Sequence, residues 1–133
     1  MIGKLDQAMQ FNEAALSLRG QRQQIISSNI ANADTPNYKA RDIDFTKALQ
    51  GAMDRSAGNL TTTSATHLNG LGTSLGTTLA PVQYRIPQQA SIDGNTVEMD
   101  NERNQFADNA IRYEASLTLL SGQIKGLLAA IQG

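Results

Sequence analysis

The 133-residue sequence has no Cys and no Trp, a single His, and only two Val. Without Cys there is no disulfide framework, no zinc finger and no thiol chemistry. Two Val leave little β-branched material for a large sheet. Neither sign of charge dominates, since 12 acidic and 11 basic residues give a formal charge of −1. The clustered cations that normally meet nucleic acid or anionic lipid are therefore missing. No apolar run approaches the length of a membrane span. The opening Met1-Ile2-Gly3-Lys4-Leu5-Asp6 lacks the basic and apolar regions of a secretory signal. These absences lead us to expect a single domain, cytoplasmic or exported without a cleaved signal, with no nucleic-acid partner.

What is abundant points to helices. The chain carries 17 Ala and 22 Asn plus Gln, while Leu, Ile, Val and Phe together number 29. Ala and Gln favour helix, and an apolar inventory of about a fifth of the chain sits near the limit for ordered packing. The core should be thin, mostly helical, and completed by something else.

Apolar residues are concentrated at the two ends. From Leu5 to about Ala33 they recur at Leu5, Ala8, Met9, Phe11, Ala15, Leu16, Leu18, Ile25, Ile26 and Ile30, the three-and-four spacing of an amphipathic helix. The run Arg19-Gly20-Gln21-Arg22-Gln23-Gln24 has no large apolar side chain, so we expect one long helix with a weak or bent centre. Toward the other end, Phe106, Ala110, Tyr113, Leu117, Leu120, Ile124, Leu127 and Ile131 alternate steps of four and three. That is the seam of a left-handed coiled coil, with Asp100 as its expected N-cap and Glu102 in the first turn.

Between these helices the pattern collapses. Residues 60–80 hold seven Thr, two Ser and three Gly among isolated Leu residues, a composition that does not order itself alone. Val82, Tyr84 and Ile86 alternate with polar residues as in a short strand, and Asp93-Gly94 reads as a hairpin tip. The expected organisation is a discontinuous coiled-coil core of residues 1–33 and 100–133. It encloses a turn and extended contact segment (34–50), a flexible segment (51–80) and a short β-like segment (81–99). The fold class is mainly α: long N- and C-terminal helices pair as an antiparallel coiled coil around a short β-hairpin or irregular middle.

Catalytic chemistry has little to build on. His67 is the only imidazole and has no nearby acid in sequence to orient it, so an exposed loop His outweighs a general base. Asp42 and Asp44 alternate with apolar residues and should share a wet, strand-like face. The acids Asp93, Glu98, Asp100 and Glu102 lack the ligand spacing of a calcium loop, so turn and cap roles account for them. Gly70, Gly72 and Gly76 are not followed by the Lys-Ser/Thr of a phosphate loop, and the sequon Asn59-Leu60-Thr61 is too common a pattern to carry weight. We expect no catalytic residue, metal, cofactor or small-molecule substrate.

One polar segment looks specified. In Ser28-Asn29-Ile30-Ala31-Asn32-Ala33-Asp34-Thr35-Pro36-Asn37-Tyr38 the Asx residues can bond local backbone, Pro36 forces Thr35 out of helical geometry, and Asn37 tolerates positive φ. A helix stop followed by a sharp turn presenting Tyr38 results. This stretch resembles the Asn-(Ile/Leu)-Ala-Asn-x-x-Thr-Pro-Gly-Tyr signature of bacterial flagellar axial proteins, the rod, hook and hook-associated subunits, with Asn37 where that family usually has Gly. The stretches Ala40 to Phe45 and Asp93 to Asn109 resemble the proximal-rod members of the family, and the likeness spans nearly the whole chain outside about 51–80.

Each terminal helix carries a second apolar stripe that a two-helix hairpin would leave wet, and contacts that do not close on themselves build helical filaments. The resemblance implies that this filament is the proximal rod of the flagellar basal body, the drive shaft for motor torque. It places the rod in the periplasm, reached through the flagellar type III export apparatus without a cleavable signal. It implies contacts with other rod subunits, the basal-body rod adaptor and the membrane ring protein. In that setting Leu5, Met9, Leu16, Ile26 and Ile30, with Phe106, Tyr113, Leu117, Leu120, Ile124, Leu127 and Ile131, belong to an inner helical layer. Asn29, Asn32, Thr35, Pro36, Tyr38 and then Phe45 meet adjacent subunits. The competing readings are a generic coiled-coil adaptor, another rod subunit of the same family, and a small hydrolase using His67. Deletions within Thr61 to Thr78 should be tolerated better in a swimming assay than deletion of any four residues from Asn29 to Tyr38; the reverse order would overturn this zoning.

Overall fold

The computed structural model describes residues 2–57 and 80–133. Its elements are α1 (Ile2–Ala31), β1 (Arg41–Ile43), α2 (Phe45–Ala57), β2 (Val82–Tyr84) and α3 (Met99–Gln132). The sequence readings placed on the Thr/Ser/Gly zone, including His67, the Asn59-Leu60-Thr61 sequon and Gly70, Gly72 and Gly76, lie outside the described residues.

Helix α1 runs through the polar stretch at its centre without a break. That stretch was read as a weak point; it is where the helix is tied to everything else. The Gln21 carboxamide clamps Ala80, donating to its carbonyl at 3.0 Å and accepting from its N–H at 2.9 Å. Arg22 reaches Asp42, and Gln23 accepts from Asn109 at 2.6 Å. Gly20 lies against the Tyr113 ring.

At 34 residues, α3 is about 51 Å long. It begins two residues earlier than expected, with Glu98 rather than Asp100 at the N-cap position and Asp100 and Glu102 in the first turn. Glu98 makes no side-chain cap and instead accepts from the Gln88 N–H at 3.0 Å. The two long helices pair antiparallel: Asn12 donates to Gln123 at 2.9 Å, Asn109 to the Arg19 carbonyl at 2.9 Å, and Asn29 to Glu102 at 3.3 Å.

The face that α3 turns toward α1 is not the apolar seam as a whole. Glu102 and Asn109 are fully buried and Ser116 and Gln123 half-buried, a polar series seven residues apart, alongside half-buried Tyr113, Leu120 and Leu127. Half of the seam faces outward, with Leu117, Ile124 and Ile131 exposed. The expectation that the seam closes the hairpin is therefore corrected: the mating stripe is rotated toward the polar series. Side chains from Asn12, Arg22 and Asn29 reach that series and its flank by hydrogen bonds, and unpaired polar groups there would be costly.

The compact core sits beside α1. Leu18, Ile43, Ala48 and Ala80 are buried together, with Ile25, Phe45 and Leu49 packed around them. Helix α1 is covered by α3 and also by α2 and β1: its fully buried residues Ala15, Leu18, Ile26 and Asn29 lie on one stripe, and half-buried residues flank it on both sides. Residues 45–50 were expected to be extended. They are helical because Asp44 caps α2, accepting from the Lys47 N–H at 3.2 Å through its side chain while its carbonyl accepts from Ala48 at 2.9 Å.

Strands β1 and β2 pair antiparallel with Arg41 opposite Tyr84, Asp42 opposite Gln83 and Ile43 opposite Val82. They are not a hairpin, since α2 and residues 58–79 intervene. Asp93-Gly94 makes the expected turn, with Gly94 at φ 76°, but no strands flank it among the described residues.

At Gly20 an added Cβ would meet Tyr113 Cε2 at 3.7 Å, an ordinary van der Waals distance. Gly20→Ala should therefore stabilise the fold by about 0.5–1 kcal/mol through helix propensity, read as a higher Tm; a lower Tm would show that the helices need the bare backbone there.

Candidate functional site

The segment after α1 is built around Asn29, which is wholly buried. Its carboxamide treats Arg41 as a neighbouring strand would: Oδ1 accepts from the Arg41 N–H at 3.1 Å and Nδ2 donates to the Arg41 carbonyl at 2.7 Å. Oδ1 also accepts from the Tyr38 hydroxyl at 3.3 Å, and Nδ2 reaches Glu102. One side chain thus joins α1, β1, the turn and α3.

The turn itself is closed by local chemistry. Asn32 Nδ2 returns to the Ser28 carbonyl at 2.8 Å, the Thr35 hydroxyl donates to Asn32 Oδ1 at 3.1 Å, and Asn37 adopts φ 61°. Asn is the side chain that best tolerates this left-handed geometry, so the turn is kept without Gly. Across from it, Asn95 points its Nδ2 at the carbonyls of Asn32, Ala33 and Thr35 at 2.8–2.9 Å and accepts from the Val97 N–H at 2.7 Å. The Asn37 N–H donates to the Asp93 carbonyl and the Thr96 N–H to the Tyr38 carbonyl, both at 3.0 Å. The turn after α1 and the distant Asp93 to Val97 segment are therefore one knot. Gly94 is favoured within it by its φ of 76°, a left-handed geometry that side chains rarely adopt, and a Cβ there would displace the Asn37 side-chain oxygen.

Beside the knot lies an ionic chain. Arg22 forks onto Asp42 at 3.0 and 3.1 Å and donates to Gln105 at 2.7 Å. Arg85 bridges Asp42, at 2.8 Å, and the fully buried Glu102. Asp42 was expected on a wet face with Asp44, and Glu102 as a simple helix-turn acid. Both are corrected, because the pairing of β1 with β2 carries Asp42 and Arg85 over the start of α3. Burial pushes the Asp42 carboxyl up, but hydrogen bonds from Arg22 and Arg85 outweigh it and hold the group below its ordinary value.

This geometry suits fixing a conformation more than chemistry. Among the described residues no group of three or more His, Cys, Asp or Glu is placed to hold a metal. Asp93 accepts from Ser91 and from the Asn95 N–H, so that acid belongs to the turn.

The expected contact residues divide by exposure. Ile26 and Asn29 are buried within the chain; Met9, Leu16, Ile30, Asn32, Tyr38, Phe45, Tyr113, Leu120 and Leu127 are half-buried. Leu5, Thr35, Pro36, Phe106, Leu117, Ile124 and Ile131 are exposed, and Phe11, Ile111 and Leu128 extend the open apolar surface. The reading from sequence missed Arg22, Asp42, Arg85, Glu102 and Asn95. The polar gap inside α1 hinted at a joint role for them, since two Arg and three Gln amid an apolar pattern need partners.

Residues 9–39 match the family described as "Flagella basal body rod protein". Over 137 residues the chain is 52% identical to the flagellar basal body rod protein FlgB of Escherichia coli K12, covering 99% of this chain and 98% of that one. It is 47% identical to the protein of that name from Salmonella typhimurium over 138 residues, covering 100% and 99%. With the Aeromonas hydrophila protein it shares 43% identity over 134 residues, covering 100% and 98%.

Because Asp42 has a lowered folded pKa, its contribution to stability is present above the unfolded value of about 3.9 and is lost as pH falls through the folded one. Acid unfolding of the wild type should therefore steepen below about pH 4. Asp42→Asn should remove that limb and cost about 1–3 kcal/mol at neutral pH by leaving Arg22 and Arg85 short of a partner. An unchanged acid limb in the variant would contradict the assignment.

Proposed function

This chain belongs to the FlgB family of flagellar basal body rod proteins, and from that premise we propose that it is a structural subunit of the proximal rod, polymerising with other rod proteins into the shaft that transmits motor torque. The observation that carries the reading is the open half of the α3 seam. Leu117, Ile124 and Ile131 stand at heptad spacing on one side of a helix whose other side is already mated. Exposed Leu5 and Phe11 of α1 add to the apolar surface. Burying a Leu or Ile side chain contributes about 1.5–3 kcal/mol, so several together against neighbouring helices supply a driving force that the free chain leaves unused.

The mated side is polar, and this matters for delivery. A hairpin whose buried stripe includes Glu102, Asn109, Ser116 and Gln123 gains little from desolvation. A loosely held helix pair suits a subunit exported through the flagellar type III apparatus without a cleaved signal and ordered on assembly in the periplasm. Thr35 and Pro36, exposed on a turn that is fixed from behind by Asn95, suit contacts with adjacent subunits, the basal-body rod adaptor or the membrane ring protein. The charged groups beside the knot, Arg22, Asp42, Arg85 and Glu102, are committed to one another, which fits a framework. We therefore read the chain as a structural protein with no enzymatic role.

A generic coiled-coil adaptor would use the same seam without needing the turn, so replacing Pro36 and Tyr38 in a swimming strain separates the two readings. For the seam itself, Ile124→Asp should leave the melting of the free chain within about 0.5 kcal/mol of wild type, as for a surface change, yet abolish rod assembly and swimming. Leu120→Asp, on the mated side, should lower the Tm as well. A motile strain carrying Ile124→Asp would sink the proposed assembly face.

A further inference from the structure

Among the described residues, the small sheet has one closed edge and one open edge. Arg85 donates to the Ala40 carbonyl at 2.9 Å, so in the β1–β2 register the Asp42–Gln83 pair is bonded and the Arg41–Tyr84 pair is not. The backbone groups of Arg41 therefore point away from β2, and the Asn29 carboxamide takes both. Those of Val82 and Tyr84 point away from β1, where they meet no backbone partner among the described residues. On this open strand Val82, Tyr84 and Ile86 are 46%, 74% and 88% exposed. Exposed edges of this kind are templates for another strand.

The sequence of the edge specifies its partner. Pro81-Val82-Gln83-Tyr84-Arg85-Ile86-Pro87 reads alike in both directions about Tyr84: proline, β-branched aliphatic, polar, tyrosine, polar, β-branched aliphatic, proline. The outward positions end symmetrically as well. Ala80 is engaged at both backbone groups by Gln21, and the Gln88 N–H by Glu98. We propose that this edge pairs antiparallel with the same edge of a second copy of this chain, about a two-fold axis at Tyr84. Tyr84 exchanges both main-chain bonds with the second Tyr84, and Val82 does so with the second Ile86. On one face this sets Val82 against Ile86 and Tyr84 against Tyr84, cross-strand pairs that stabilise a sheet. On the other face Gln83 meets Arg85, whose charge is already held by Asp42 and Glu102, so like charges are not opposed. A self-complementary surface of this kind closes a dimer and does not propagate. The pairing is therefore distinct from the seam, covering the apolar strand in the unassembled chain. The patch is small against the ~1,200 Å² of a stable interface, so the association is weak.

The test is carried out in the full chain carrying Ile124→Asp, which silences the seam and separates failure here from failure of the rod reading. Because the sequence has no Cys, Tyr84→Cys introduces a single thiol. Cα atoms of a bonded antiparallel pair stand about 5.5 Å apart, within disulfide range. With oxidised glutathione, Cys at position 84 should form the disulfide-linked dimer at least about tenfold faster than Cys at exposed position 118, and the difference should vanish in urea, as for an advantage of folded-state geometry. In sedimentation equilibrium at high concentration the dimer should form, and Tyr84→Glu, which sets two like charges across the axis, should weaken it by about tenfold or more. Equal cross-linking at positions 84 and 118, or unaltered association of Tyr84→Glu, overturns the proposal. Protection of the Val82 and Tyr84 amides only on addition of a different rod subunit would also overturn it, giving the edge to a foreign strand.

Discussion

A buried carboxamide is the constraint on which the rest of this structure depends. Asn29 sits in the last turn of α1 with no exposure, and each of its two polar atoms is shared between elements. A buried amide left unbonded costs a few kcal/mol. The chain after α1 is therefore drawn back so that Arg41 lies beside the helix as a strand would. That placement fixes β1, β1 sets the register of β2, and β2 brings Arg85 between Asp42 and Glu102. A hydrophobic residue at position 29 could fill the same volume but could not specify direction, because only an amide offers donor and acceptor side by side in the pattern of a peptide group.

The ionic chain extends this specification to α3. Glu102, buried in the first turn of α3, must be met by Arg85 and Asn29, and that requirement sets where α3 lies along α1. Farther along, Asn109 and Gln123 meet α1 side chains and backbone in the same manner. Such contacts add little net stability compared with apolar packing, but their donors find partners in this register: Asn109 Nδ2 is bonded twice, although its Oδ1 is buried without a partner. The helix pair is thus positioned by polar groups, while much of its apolar surface faces outward. For a subunit of a polymer this division is coherent: polar contacts fix the shape of the single chain, and in the proposed assembly the apolar surface is left for neighbours.

The knot between the turn and the Asp93 to Val97 segment serves the same end. Asn95 gathers three carbonyls beyond the end of α1, adding to the backbone bonds that those of Asn32 and Thr35 already accept within the turn. With the turn fixed from behind, Thr35 and Pro36 are exposed on a braced surface, and in the proposed assembly less entropy would oppose a contact at that turn.

Much was legible in the sequence because it rests on local chemistry and periodicity. The two long helices followed from three-and-four spacing, the turn from Asn37 and Pro36, the short β2 strand from the alternation of Val82, Tyr84 and Ile86, and the family from three motif stretches. What the sequence could not decide was which side of each helix is mated. The seam from Phe106 to Ile131 and the polar series from Glu102 to Gln123 lie side by side on α3, and period alone does not choose between them. Nor could it show that Asp42 would leave the solvent face, because that follows from pairing β1 with a strand about 40 residues away. Residues 45–50 became helix because one aspartate, Asp44, capped them, a local signal masked by the alternation just before it. The sequence by itself determined that the two end segments are helical, where the chain turns after the first of them, and that its apolar surface exceeds what one hairpin can cover. Only the tertiary structure decided which polar groups are buried together, because the cost of an unpaired charge or amide is settled by the partners that the fold brings within reach.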